Sequence, residues 1–171
     1  ELGTRVAELH HENGRVNGVT IARGSAGRER VAADHVVSSM PLNELVRRLE
    51  PAPPVEIRAA ADRLSYRDFL IVVLSVDREE VFPDNRIYIH SPEVAMGRIQ
   101  NFQNLSPEMV PDYSKTSLGL EYFVNVGDVL WTASDSVLVD LGIREMATLG
   151  LVDPGEVEDG TVVRMPKAYP V

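Results

Sequence analysis

The run Phe69-Leu-Ile-Val-Val-Leu-Ser-Val76 constrains the fold more than any other stretch of this chain. It is far too short for a membrane helix, which needs roughly 20 apolar residues. It is long enough, and rich enough in β-branched residues, for a central strand. A central strand needs neighbours, and "RIYIHS", "MGRIQNF" and "SLGLEYF" each supply strand length and β-forming residues. The closing "VEDGTVVRMPKAYPV" begins a further strand.

The sequence before this strand-rich part has a different organisation. From Thr4 to Ile21, apolar and polar residues alternate on both sides of Glu12-Asn13-Gly14, which predicts a hairpin. A turn at Gly24-Ser25-Ala26-Gly27 leads to a third strand, "RERVAADHVVSS", expected to be the more buried end of a small meander. Those glycines lack the GxGxxG spacing and follow a turn where a phosphate-binding loop would follow a buried strand. After Pro41, the spacing of Leu42, Leu45, Val46 and Leu49 predicts a helix stopped by Pro51, Pro53 and Pro54. A second helix is predicted from Val55 to Leu64. "QNLSPEMVPDYSK" reads as a loop, and "SDSVLVDLGIREMATLG" as a helix capped by Ser134 or Asp135 and closed at Gly150. The chain opens on Glu1 in place of methionine and stops at "AYPV", so it is expected to be a piece of a longer polypeptide.

Charge and composition narrow the function classes. Seventeen basic against twenty-six acidic residues give a net charge of −9, which argues against sequence-independent binding to nucleic acid or an anionic membrane. There are no cysteines, so disulfides, thiolate metal sites and cysteine nucleophiles are excluded. No signal-peptide pattern opens the sequence, and the expectation is a soluble cytoplasmic protein. Adjacent His10 and His11 face opposite sides of a regular strand, so one metal would hardly take both. His35 and His90 have no ligand at metal spacing. Ser38 and Ser39 sit in no nucleophile elbow, and Glu79-Glu80 lies in a turn-like stretch. Arg98 and Arg164 each stand inside an apolar strand pattern: either they lie on a solvated face, or they point into a cleft where a guanidinium holds phosphate or carboxylate.

"GTRVAELHHENGRVNGVTI" followed by "ADHVVSSMPLNELV" resembles the flavin-dependent amine-oxidase and protoporphyrinogen-oxidase superfamily. Within it, "IYIHSPEVAMGRIQNFQNLSPEMVPD" and the closing "R-x-x-x-A-Y-P-V" look most like UDP-galactopyranose mutases and their relatives. The resemblance implies FAD as cofactor in the full-length protein. Val6 would face its adenine end through main-chain groups, and Ser38, Ser39, Met40 and Pro41 would form a strand-to-helix crossing near the flavin. It also implies that Arg98 reaches a substrate diphosphate, with Arg164 and Tyr169 near the sugar and flavin. The cofactor would then carry the chemistry, while the protein orients substrate and tunes charge. The family's GxGxxG fingerprint is absent from this chain, so FAD is expected to be poorly retained by it.

These readings combine into an α+β expectation. Residues 1–50 would be the remnant of a Rossmann-like FAD-binding domain, carrying the β-meander. Residues 51–171 would be a substrate-binding domain, an antiparallel or mixed sheet with helices on one face. The expected activity is that of a flavin-dependent oxidoreductase or mutase-like isomerase acting on a small molecule, such as a nucleotide sugar. Alternatives are amine, porphyrinogen or carotenoid oxidation on the same scaffold, or a non-enzymatic α+β binding module. The surface normally covered by the cofactor domain would favour self-association.

Overall fold

The computed structural model describes residues 2–24 and 27–171, so Ser25 and Ala26 of the expected glycine turn lie outside the described residues. The chain forms two compact units, one reaching to Ser65 and including Pro170–Val171, the other Tyr66–Tyr169.

In the first unit, β1 (Thr4–Glu12) and β2 (Arg15–Arg23) form the expected hairpin. Asn13 and Gly14 both have positive φ, 51° and 75°, as a two-residue hairpin turn of the right twist requires. β3 (Arg28–Ala32) adds to β2, and the two-residue β4 (Leu49–Glu50) adds to β1 in parallel, giving a mixed sheet in the order β3-β2-β1-β4. α1 (Leu42–Arg47) begins after Pro41, and α2 (Val55–Asp62) begins after Pro54. The Arg47 guanidinium ties the two helices together through Asp62, at 2.7 Å.

The third strand ends earlier than its sequence suggests. Its ladder to β2 stops at Ala32, opposite Gly18, and residues 33–41 run on outside any strand. The expectation of a more buried end is therefore corrected: Val37 is fully exposed, and Ser38 and Ser39 are exposed too. Apolar β-formers specify a strand only where another strand lies alongside to pair with, and among the described residues none borders this segment.

The second unit is built on β5 (Tyr66–Val76), the strand expected to be central. Its sheet has the order β6-β7-β8-β5-β9, with β6 (Arg86–Tyr88), β7 (Arg98–Asn101), β8 (Thr116–Val124) and β9 (Val157–Pro170). The β6/β7, β7/β8 and β8/β5 pairs are antiparallel. Leu70, Val72, Leu74 and Val76 of β5, with Leu118, Leu120 and Tyr122 of β8, are 0% exposed and pack against Leu138 and Met146 of α5 (Asp135–Thr148). Each such side chain contributes roughly 1.5–3 kcal/mol through burial. Ser134 caps α5 by accepting the Val137 N–H, and Gly150 follows its end at φ 68°.

Part of the expected loop is helical. β7 ends at Asn101, whose side chain caps the one-turn α3 (Phe102–Leu105), and a 3-10 turn follows over Pro107–Met109. Another single turn, α4 (Val129–Thr132), precedes α5. No helix among the described residues is long and apolar enough to cross a membrane.

Candidate functional site

Because side chains alternate along a strand, the residues left over from the core converge on the opposite face of the second sheet. β5 places Phe69 there, β8 places Glu121 and Phe123, and β7 places Arg98 opposite Glu121 in register. β6 adds Tyr88 opposite Arg98, and the end of β9 adds Tyr169.

Arg98 is the hub of this face. Its Nε donates to Glu121, whose side chain is 0% exposed, while the Arg98 side chain is 11% exposed. Its Nη2 donates to the Tyr169 hydroxyl at 3.1 Å and its Nη1 to the Tyr88 hydroxyl at 3.5 Å. The guanidinium carbon lies 5.6 Å from the Tyr88 ring centroid and 5.9 Å from that of Phe123, within cation–π range. Gln100 donates to the other Glu121 oxygen. Burial works against the Arg98 charge, but the hydrogen bonds to Glu121, Tyr169 and Tyr88 outweigh it, and the guanidinium is held more firmly protonated than an ordinary arginine. The hydrogen bond from Arg98 pulls the Tyr88 phenol below its usual value.

An aromatic cluster flanks this charge. Phe69, Phe123 and Tyr169 meet in tilted and edge-on contacts, with centroids 5.7 to 6.0 Å apart. Gly97 makes room for it: a Cβ there would stand 2.8 Å from the Phe123 ring. The face thus presents a guanidinium with two further N–H groups beyond those engaged by Glu121, Tyr88 and Tyr169, beside aromatic surface. That arrangement suits a planar or apolar group carrying negative charge.

The residues expected from the sequence separate into three places. Arg98 and Tyr169 come together. Arg164 lies on the other face of the sheet, where Nε donates to the Trp131 carbonyl at 3.1 Å, Nη2 to the Ala133 carbonyl at 2.7 Å and Nη1 to Asp135 at 2.6 Å. It clamps β9 to the segment joining α4 and α5. Val6 is in β1 of the first unit, paired with Ile21, and Ser38, Ser39, Met40 and Pro41 form the extended approach to α1. Ser38 and Ser39 are exposed and Val6, Met40 and Pro41 are half-buried, so these residues present an open surface. The bulge between His10 and His11 turns both towards one polar hollow, yet His10 is taken by Thr20 at 2.6 Å and His11 by the Pro51 carbonyl at 3.0 Å. No cluster of metal-binding side chains exists among the described residues.

Glu121 and Tyr88 escaped the sequence reading. The available signal was a carboxylate inside the apolar strand "SLGLEYF", with an arginine inside "MGRIQNF" to match it. A second buried carboxylate, Glu145 of α5, serves packing on the helix side. It accepts the Ala95 and Met96 N–H groups at 2.7 and 3.2 Å and the Tyr122 hydroxyl at 3.0 Å. The groove between α5 and the start of β9 is lined by Asp135, Asp140, Glu158 and Asp159, so its charge disfavours anions.

Comparison with known proteins accounts for this architecture. The family model described as flavin containing amine oxidoreductase matches residues 1–169. Among solved structures, reduced UDP-galactopyranose mutase superposes with a TM-score of 0.65 at 21% identity, over 99% of this chain and 35% of that one. A putative protoporphyrinogen oxidase from Exiguobacterium sp. 255-15 gives 0.57 at 18% identity, over 98% and 35%. A putrescine oxidase triple mutant gives 0.58 at 15%, over 94% and 33%. The chain therefore spans about a third of the length of these solved relatives, and at such identities they show its fold. No curated protein sequence matches it. With a family match running from residue 1 to residue 169, the chain belongs to the flavin containing amine oxidoreductases.

Proposed function

We propose that the second unit is the substrate-binding part of a flavin enzyme, and that its Arg98 face receives a nucleotide-sugar-like anion. The supporting observation is the Arg98 guanidinium, its side chain 11% exposed, braced by the fully buried Glu121 and edged by two tyrosine hydroxyls. Both hydroxyl oxygens accept from Arg98, so their protons are free to turn outward as donors to a ligand. Phosphate is the group best matched by paired guanidinium N–H groups. Arg164 has its donors engaged elsewhere and supports β9 in this reading.

The cofactor is FAD, in keeping with the flavin named in the family description. FAD would supply the covalent or redox chemistry when bound. Val6 and residues 38–41 would border it. With no GxGxxG stretch in the sequence, the chain alone holds FAD weakly, and purified chain is expected to show no stoichiometric flavin absorbance. The first unit also leaves Val37, Leu42, Val55 and Ile57 exposed, a surface through which the chain self-associates at high concentration.

The aromatic cluster favours a second reading, in which the substrate is an oxidisable apolar molecule. Calorimetric titration separates the readings. UDP is expected to bind the wild-type chain and to lose most of its affinity in Arg98→Ala, while an uncharged aromatic probe such as benzyl alcohol binds neither. Binding of benzyl alcohol by both chains, with UDP bound by neither, would overturn the anion reading.

A further inference from the structure

We infer that Asp68 is a positioning residue for the Arg98 face, pinning the kink in β9 that brings Tyr169 to Arg98. The inference rests on reading that face as the ligand site and adds what holds its tyrosine and its aromatic wall in place. Asp68 precedes Phe69 in β5, so by alternation its side chain lies on the core face, 7% exposed, while Phe69 lies on the face of Arg98. Both of its carboxylate oxygens are engaged by backbone. Oδ1 accepts the Lys167 N–H at 2.8 Å, and Oδ2 accepts the Val126 N–H at 2.5 Å. Lys167 lies in β9 two residues before Tyr169, and Val126 lies just past the end of β8, three residues beyond Phe123. One buried carboxylate therefore ties together the chain segments that carry Phe69, Phe123 and Tyr169, whose rings meet on the opposite face.

Lys167 is a residue that needs such a tie. Its φ is 57°, in the left-handed region that a lysine rarely adopts. Among the described residues the other non-glycine with positive φ is Asn13, where the β1–β2 turn requires it. At Lys167 no turn requires it, since β9 continues to Pro170. A backbone held off its preferred conformation persists only where its surroundings over-determine it. Here the Asp68 bond falls on the amide of the strained residue itself, and beyond the kink the Tyr169 hydroxyl accepts from Arg98 at 3.1 Å.

The test reads contacts of the Tyr169 ring with Phe69 and Phe123 by nuclear Overhauser spectroscopy of the labelled chain without ligand, and UDP affinity by calorimetry. Asp68→Asn keeps the shape but turns an NH2 group towards one of the two N–H donors. It is expected to lose the Tyr169 contacts and to weaken UDP about tenfold, as loss of one hydrogen bond predicts. Adding Lys167→Gly to Asp68→Asn frees the kink from strain and is expected to restore the contacts and most of the affinity. A carboxylate that merely stabilises the fold predicts no such rescue. Lys167→Pro, at an exposed position, forbids the positive φ and removes the N–H together, so it answers the question even if Asp68→Asn does not fold. Tyr169 contacts that persist in Lys167→Pro or in folded Asp68→Asn, or that Lys167→Gly fails to restore, overturn the inference. If the wild-type chain shows the contacts but does not bind UDP, the reading of the Arg98 face falls, while the ring contacts still decide the role of Asp68.

Discussion

Arg98 and Glu121 show why a buried ion pair matters more when broken than when present. Glu121 is wholly buried, with Arg98 and Gln100 as its donors, so truncating one partner strands a charge away from water. Glu121→Leu is expected to destabilise the second unit by about 3–5 kcal/mol in chemical denaturation, because Arg98 loses its counter-charge. Gly97→Ala acts through shape. The added methyl pushes on the Phe123 ring, and overpacking of this kind costs about 1–3 kcal/mol. Titration of the tyrosines is informative too. Tyr88, pulled down by Arg98, should ionise ahead of a free phenol in an alkaline absorbance titration, and Arg98→Ala should move it back up. Tyr122 goes the other way, since burial and then Glu145 push its phenol upward. The folded chain keeps that proton where the unfolded chain releases it, so this contribution is intact below the ordinary value of 10.0 and is lost as pH rises beyond it. Stability should fall above that pH, and a Tyr122→Phe variant should show a flatter decline.

Strands and helices divide the labour cleanly, with α5 and the core on one face of the second sheet and Arg98 on the other. Leu138→Ala or Met146→Ala should cost about 2–5 kcal/mol, whereas Val137→Ala, on the exposed side of the same helix, should stay within about 0.5 kcal/mol. Arg164→Ala should lower stability without changing UDP affinity, since all its recorded bonds run to the α4–α5 junction. Much of this was readable beforehand. Asn13-Gly14 announces a hairpin, Phe69–Val76 a central strand, and Ser134 a helix start, because each depends on local chemistry. The strand expected through Val36–Ser39 was not realised, because strand formation depends on a pairing partner that no local pattern reveals. Arg98 stood out as a charge in an apolar run. Its partners Glu121, Tyr88 and Tyr169 come from other strands, and cross-strand register is not written in any one of them.

At the scale of the whole molecule, the two units have different prospects. The second has a continuous core of fully buried side chains and a face organised around one guanidinium. The first exposes Val37 completely and Leu42, Val55 and Ile57 by half or more. Val37→Asp should therefore raise the monomer fraction in sedimentation at high concentration, and equal self-association by wild type and variant would remove Val37 from the contact. The central claim concerns the second unit, and nuclear magnetic resonance of the isotopically labelled chain titrated with UDP tests it most directly. Shifts at the Arg98 side chain, Phe123 and Tyr169, with Arg164 and the α5 groove unchanged, are the predicted result. Shifts confined to the α5 groove, or a spectrum that UDP leaves untouched, would contradict it.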